Sequence, residues 1–199
     1  MMTVREAAVA GTFYPADPGE LADKVDQYMA AAEGNGGMPK AIIAPHAGYI
    51  YSGPIAASAY THLAGGKDTV QRVILLGPAH RVSLRGLAAS SAQAFATPLG
   101  DVPVDQEALA NVLDLPQVRV WDEAHAFEHG LEVHLPFLQR LYKQLSIVPL
   151  VVGQASAEEV AEVLDLLWGG PETAVVISSD LSHFHDYTTA QHLDLATAQ

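Results

Sequence analysis

The sequence predicts an α/β protein in which a mostly parallel sheet carries helices on both faces. Three observations support this fold class: nearly continuous apolar strands, helices between them, and a length that suits one domain. The chain has 199 residues, of which 49% are hydrophobic and 17% charged, which is typical of a globule with a sizeable core. We therefore expect a single α/β domain over residues 1–199.

The predicted strands are short, nearly continuous apolar runs rich in Val, Ile and Leu. They lie at 40–45, 72–77, 145–153 and 174–178. Such runs are typical of strands buried on both faces of a parallel sheet. Residues 86–104 are expected to form further strands joined by turns, with a reversal at 97–100.

Signals for helix ends locate the helices that separate these strands. Asp17 before a proline and Ser156 three residues before a Glu are typical N-caps. Helices are expected after Asp17, from Ser52 to about Leu63, from Asp105 to about Leu113, from Glu128 to about Gln144, after Ser156, and over 188–198. Pro136 marks either a first helical turn or a kink.

Composition excludes several classes of function. Ten Lys and Arg against 23 Asp and Glu leave a formal charge of −13, whereas binding to a phosphate backbone needs clustered cations. No nucleic-acid partner is expected. No apolar run approaches a membrane span and no secretory signal is visible, so we expect no membrane association and a cytoplasmic protein. The absence of Cys excludes disulfides, cysteine zinc sites and thiol nucleophiles.

Histidine is the residue type that points to chemistry. Three of the nine histidines, His46, His80 and His183, each follow a predicted buried strand closely. Ligands of open α/β sheets bind beyond the carboxyl ends of the strands, so these imidazoles converge if the strands are neighbours. Neutral imidazole suits Fe, Zn, Cu and Ni, and a histidine outside the coordination sphere could move protons near neutral pH. The alternative is that each is an ordinary surface or capping residue.

Other polar residues lie close to this predicted crevice. Glu128 and His129, at the head of a predicted helix, could point into it. A carboxylate could be a third metal ligand: Asp180 and Asp186 are near His183 in sequence, and Glu128 could reach the site only through the fold. Tyr49 could line the pocket or pack its ring with the hydroxyl in solvent. His129 and His134 are five residues apart, roughly 140° around a helix, so they do not form a zinc-protease pair.

Four segments in this order resemble the Memo family, found in bacteria and archaea as protein B of the AmmeMemoRadiSam system. They are PHAGYIYSG at 45–53, LGPAH at 76–80, EHGLEVHLPF at 128–137 and SSDLSH at 178–183. Residues 5–15 are also similar to the start of that family. The fold of the family is similar to that of class III extradiol dioxygenases, which bind Fe(II) with two His and a Glu.

The resemblance implies a role for each candidate residue. His46 and His80 would be metal ligands, and His183 would be either the third ligand or the catalytic acid and base. Substrate contacts are expected from Tyr49, Glu128, His129 and Asp180. Fe(II) is the expected metal, with Cu and Zn as alternatives.

One feature of the family is absent from the sequence. Memo proteins commonly place a Cys from the C-terminal third in the pocket, and the dioxygenases place a Glu there. This chain has no Cys and ends before that region. The resemblance therefore predicts that the C-terminal part of the family fold is absent.

Three functions remain open at this stage. The first is a non-haem Fe(II) or Cu redox enzyme. The second is a non-catalytic protein that binds a metal, an anion, a small molecule or a peptide in the crevice, with companion AmmeMemoRadiSam proteins as possible partners. The third is a zinc hydrolase, which would need tightly held Zn and a base such as Glu128 or His183.

Overall fold

The computed structural model describes residues 2–34 and 37–199 and confirms an α/β protein with a mostly parallel sheet. Its strands are β1 (Val4–Arg5), β2 (Ala41–Ala44), β3 (Arg72–Pro78), β4 (Leu87–Ala89), β5 (Ala94–Phe95), β6 (Val102–Pro103), β7 (Val118–Val120), β8 (Ser146–Val152) and β9 (Thr173–Ser178). Its α-helices are α1 (Pro18–Ala31), α2 (Tyr49–Tyr60), α3 (Gln106–Ala110), α4 (Glu123–Ala126), α5 (His129–Glu132), α6 (Leu135–Leu141), α7 (Ala157–Leu167) and α8 (Tyr187–Thr197). A 3₁₀ helix, Thr61–Gly66, follows α2.

The main sheet has six strands in the order β2-β9-β3-β8-β4-β7. All neighbours are parallel except β4 and β8, which are antiparallel. The five central residues of β3 and of β8 are buried in succession, so both faces of the sheet are covered there. The four predicted apolar strands are therefore neighbours, and their carboxyl ends lie along one edge.

A second, three-stranded sheet pairs the first strand of the chain with strands from residues 94–103. β1 pairs in parallel with β5, and β5 pairs antiparallel with β6. The predicted reversal between β5 and β6 is confirmed, because the amides of Thr97 and Gly100 each donate to the carbonyl of the other. Residues near the N-terminus thus reach the region of α4 and α5.

Several helix starts agree with the sequence. The Asp17 carboxylate accepts from the Glu20 amide at the start of α1, and the Asp105 carboxylate accepts from the Ala108 amide at the start of α3. Ser156 forms the predicted capping box at the start of α7. These side chains satisfy amides that have no partner within their own helix.

Two helix predictions were wrong in detail. The helix expected from Ser52 begins at Tyr49, because Gly48 occupies the N-cap and the Ser52 hydroxyl donates to the Ala47 carbonyl at 2.7 Å. The helix expected from Glu128 onward is divided into α5 and α6. Pro136 lies in the first turn of α6, where a missing amide hydrogen costs little.

A helix needs about 20 mostly apolar residues to cross a bilayer. None of the described helices combines the length and the apolar character that a membrane span needs.

Candidate metal centre

Three histidines form a compact group at the carboxyl edge of the main sheet. His46 follows β2, His80 follows β3, and His129 is the first residue of α5. One nitrogen from each ring lies within 4.8 Å of the other two. The ring centroids of His80 and His129 are 4.5 Å apart, and those of His46 and His80 are 5.0 Å apart. The geometry thus offers three nitrogen ligands to one metal ion.

A serine on β9 determines the tautomer of His46. The Ser178 hydroxyl donates its only proton to the Gly130 carbonyl, and its oxygen lies 2.7 Å from His46 Nδ1. The serine oxygen can therefore only accept from His46, which places the ring proton on Nδ1. His46 Nε2 is left with a free lone pair, as a metal ligand requires.

The Glu128 carboxylate determines the tautomer of His80. Its Oε1 lies 2.7 Å from His80 Nδ1, and its two oxygens also accept from the Gly130 and His80 amides. Burial alone would raise the pKa of Glu128, but these hydrogen bonds hold it below its ordinary value. An ionised carboxylate only accepts, so the His80 proton lies on Nδ1 and Nε2 is free. A carboxylate behind a ligating imidazole is a common arrangement at metal sites.

His129 contains a buried ring nitrogen with no hydrogen-bond partner. Its Nδ1 forms no hydrogen bond and lies 3.5 Å from Glu128 Oε1. Burial lowers the pKa of both His129 and His46, which favours the neutral imidazole that binds metals. A neutral His129 ring, beside two imidazoles with free lone pairs, fits a metal ion. The residues present therefore suit the ion that the family resemblance implies.

Asp180 lies between the three-histidine group and His183. Its Oδ1 accepts from the His46 amide at 2.8 Å, and its Oδ2 is 3.7 Å from His46 Nε2. The same Oδ2 is 3.5 Å from His183 Nε2. The His183 side chain is 57% exposed and is not part of the three-histidine group. The predicted roles of His183, as third ligand or as catalytic residue, stay predictions.

Tyr49 is a core residue in this structure. Its ring is buried and packs on Phe137 and Tyr14, and its hydroxyl donates to the Val133 carbonyl at 2.7 Å. Burial raises its pKa well above the ordinary value. The sequence offered a packed Tyr49 ring as one alternative, and the ring is packed. The hydroxyl, which that alternative placed in solvent, lies inside the protein. A substrate contact from Tyr49 stays a prediction.

A cavity of about 610 Å³ lies next to this centre. Asp180 and His183 lie in its wall together with Tyr51 and the apolar side chains of Pro45 and Ile55, whereas none of the three histidines of the centre lines it. The volume is within the usual range for small-molecule sites. A ligand in this cavity would contact the same aspartate that holds the His46 amide.

The structure brings five predicted site residues together and adds others. His46, His80, Glu128, His129 and Asp180 converge, although the sequence predicted His129 as a substrate contact and the structure groups it with the possible ligands. Sequence reasoning missed the serine on β9 and the α5 carbonyl that orient His46. The available signal was a serine at the carboxyl end of a buried strand.

The fold and this group define an α/β protein with a candidate three-histidine metal centre, and comparison with known proteins gives the family. The family model described as Memo-like protein matches residues 5–197, and on this basis the chain belongs to the Memo family. It is 40% identical over 187 residues to a MEMO1 family protein of Aquifex aeolicus, covering 92% of this chain and 68% of that protein. A MEMO1 family protein of Ignicoccus hospitalis is 38% identical over 213 residues, covering 96% of this chain and 74% of that protein. Protein MEMO1 of Danio rerio is 34% identical over 191 residues, covering 92% of this chain and 64% of that protein.

Proposed function

We propose that this protein binds one first-row transition metal ion through His46, His80 and His129 and uses it for redox chemistry on a small molecule. The observation that carries the proposal is the approach of three imidazole nitrogens within 4.8 Å. Neutral imidazole binds Fe, Cu and Zn, and we take Fe(II) as the first candidate, with Cu as the second redox metal. The class III extradiol dioxygenases are the nearest chemical analogy.

The surrounding residues have separate roles in this proposal. A bound redox metal would supply open coordination positions and electron transfer to a substrate or to O₂. Glu128 and Ser178 keep the His80 and His46 protons on Nδ1, and the adjacent cavity admits the substrate. Asp180 orients His183 through Nε2, which leaves the Nδ1 atom of His183 to accept or donate a proton at the substrate. His183 therefore acts as a catalytic residue rather than as a metal ligand.

A zinc hydrolase is the second candidate. Three histidines with a free fourth position are also the ligand set of some catalytic zinc sites, and zinc lowers the pKa of bound water. The observation that favours it is that the three-histidine group contains no carboxylate. A non-catalytic binding protein, with a small molecule, a peptide or companion AmmeMemoRadiSam proteins as ligands, would use the same crevice without turnover.

Metal loading followed by oxygen uptake tests the proposal. The protein is purified anaerobically and loaded separately with Fe(II), Cu and Zn, and the metal content is measured by mass spectrometry after desalting. The His46→Ala/His80→Ala double variant removes two ligands, and His192→Ala, an exposed histidine on α8, is the matched control. Oxygen consumption is then measured with catechol-like and phenolic compounds.

We expect stoichiometric metal in the wild type and in His192→Ala and only trace metal in the double variant. Oxygen uptake with Fe or Cu that is lost in His183→Ala supports the redox function. Turnover of ester or amide substrates with Zn alone would favour the hydrolase. Equal trace metal in wild type and double variant would contradict the proposal.

A further inference from the structure

A segment near the N-terminus connects the two loops that carry the candidate metal centre. This segment, residues 5–14, is called the N-terminal strap here. It begins in β1 and ends shortly before α1. Its contacts reach both the turn between α4 and α5 and the start of α2, which follows His46.

Arg5 is the contact to the turn between α4 and α5. The guanidinium Nε donates to the His125 carbonyl at 3.0 Å, and Nη2 donates to the Glu128 carbonyl at 2.6 Å. Nη1 pairs with the carboxylate of Glu132 at the end of α5. One buried side chain therefore contacts α4, the residue before α5 and the last residue of α5.

Glu132 extends the contact back into the strap. Its side chain is fully buried, and its carboxylate accepts from the Ala8 amide at 2.8 Å and the Val9 amide at 3.0 Å. The Tyr14 hydroxyl donates to the same carboxylate. With Arg5, four groups of the strap converge on one carboxylate, which compensates the cost of burying it.

Phe13 is the contact to the His46 loop. Its carbonyl accepts from the Tyr49 amide at 2.8 Å, at the first residue of α2. Its ring lies 4.8 Å from the His129 ring, measured between centroids. The strap thus touches the element that follows one candidate ligand and the side chain of another.

We propose that Arg5 is a positioning residue of the metal centre, acting through the Glu128 carbonyl and Glu132 to fix α5, and with it Glu128 and His129, relative to His46. This inference rests on the proposed metal-binding function. Arg5 contacts no candidate ligand side chain directly. Its effect reaches the centre through the backbone on which Glu128 and His129 are carried.

The geometry of the guanidinium is what this role requires. Arginine presents donors in a rigid planar fork, and here three of its nitrogens have three different partners. A lysine at this position keeps the charge beside Glu132 but has a single nitrogen, which cannot reach both carbonyls and the carboxylate in the same way. Arg5→Lys therefore separates the positioning role from the charge.

The test compares Arg5→Lys with a control that lowers stability elsewhere. Leu167→Ala removes a buried side chain at the last residue of α7, outside the strap and the centre. The dissociation constant for Co(II) is measured by titration at a temperature well below unfolding. The Nδ1–H resonance of His80, whose proton is hydrogen-bonded to Glu128, is followed by NMR in the metal-free protein.

We expect Arg5→Lys to raise the Co(II) dissociation constant about tenfold, as for other residues that orient metal ligands, and to shift the His80 resonance. Leu167→Ala should lower the melting temperature but leave the Co(II) dissociation constant and the His80 resonance unchanged. An Arg5→Lys variant that is less stable but has a wild-type resonance and dissociation constant would show that Arg5 is only structural.

A milder variant keeps the test decisive if Arg5→Lys does not fold. Tyr14→Phe removes one hydrogen bond to Glu132 and should move the His80 resonance in the same direction by a smaller amount. An unchanged resonance in Tyr14→Phe would then overturn the inference. If the wild type binds no Co(II), the proposed function fails, whereas the His80 resonance still decides whether Arg5 positions Glu128.

Discussion

At the residue scale, the ring protons of His46 and His80 determine which nitrogens can bind a metal. Each ring has its Nδ1 proton held by an acceptor that cannot donate in return: the Ser178 oxygen and the Glu128 carboxylate. Both Nε2 atoms are therefore free without any rearrangement. A centre prepared in this way loses little free energy to ligand reorientation when the ion binds.

Glu128→Gln tests this preparation at one residue. The two oxygens of Glu128 accept from three donors: the His80 amide, His80 Nδ1 and the Gly130 amide. Glutamine has one acceptor oxygen and an NH₂ group in place of the other, so at least one of these hydrogen bonds is lost or replaced by repulsion. We expect the metal dissociation constant to rise about 10–100-fold. Competition with a chromogenic chelator measures it.

The control for this variant is Glu158→Gln, which makes the same change at an exposed position on α7. It should leave metal affinity unchanged. A Glu128→Gln protein with wild-type affinity would show that the carboxylate does not orient His80.

The sequence predicted two of the three candidate ligands, His46 and His80, but not the third, His129. His46 and His80 could be predicted because each closely follows an apolar strand, and parallel strands bring their ends to one edge. The prediction that β2 is buried on both faces was wrong, because Ala41 and Ile43 are exposed. His129 could not be assigned as a possible ligand, because its position depends on where α5 begins. That start is set by Glu128 as N-cap and by the buried contact with Arg5, which is 123 residues away in sequence.

At the element scale, elements with an apolar run or a regular helical pattern could be predicted, and short elements with neither could not. The strands β2, β3, β8 and β9 and the capped helices α1 and α7 each carry several residues of regular pattern. The elements β7, α4 and α5 have three or four residues each, which is too short for a period to be visible. Their conformation is determined by tertiary hydrogen bonds, so the single helix predicted from Glu128 was wrong.

The packing of α1 against α2 depends on a glycine. A Cβ at Gly53 on α2 would lie 2.4 Å from the Tyr28 ring of α1. The Tyr28 hydroxyl donates to the Tyr49 carbonyl at 3.0 Å, which restricts movement of the ring. Glycine therefore sets the distance between these two helices.

Gly53→Ala is expected to destabilise the protein although alanine is the better helix former. The added methyl overpacks the contact with Tyr28, at a cost of about 1–3 kcal/mol, which exceeds the helix-propensity gain of roughly 1 kcal/mol. Urea unfolding measures the difference. Ser58→Ala, at an exposed position of the same helix, should be neutral or slightly stabilising. An increase in stability for Gly53→Ala would show that the two helices can separate freely.

At the scale of the whole molecule, folding buries histidines in their neutral form. Burial lowers the pKa of His125 to about 4 and that of His134 to about 3. His134 Nδ1 bonds the Tyr60 hydroxyl and His125 Nε2 bonds the Ala88 carbonyl, so neither ring is hydrogen-bonded to a carboxylate. Burial therefore outweighs the attraction of the acidic groups nearby. In the unfolded chain both rings titrate near 6.5.

Stability is therefore expected to fall with pH below about 6.5. Between that pKa and the lower folded values, the unfolded state binds more protons, so the free energy of unfolding decreases as pH falls. Each histidine contributes up to about 1.4 kcal/mol per pH unit. The lowered pKa values of His46 and His129 act in the same direction in the metal-free protein.

Urea unfolding at several pH values between 5 and 8 measures this slope. His134→Gln should reduce the slope of the free energy of unfolding against pH by the contribution of one histidine proton. His192→Ala, at an exposed site, should leave the slope unchanged. A free energy of unfolding that is independent of pH over this range would contradict the buried neutral state of these rings.

The most direct test of the account is the metal content of His129→Ala and His183→Ala, each loaded with Co(II) and desalted beside the wild type. The structure groups His129 with His46 and His80 and leaves His183 exposed beside Asp180. We predict stoichiometric Co(II) in the wild type and in His183→Ala and only trace Co(II) in His129→Ala. Retention of the metal in His129→Ala with its loss in His183→Ala would contradict the proposed centre.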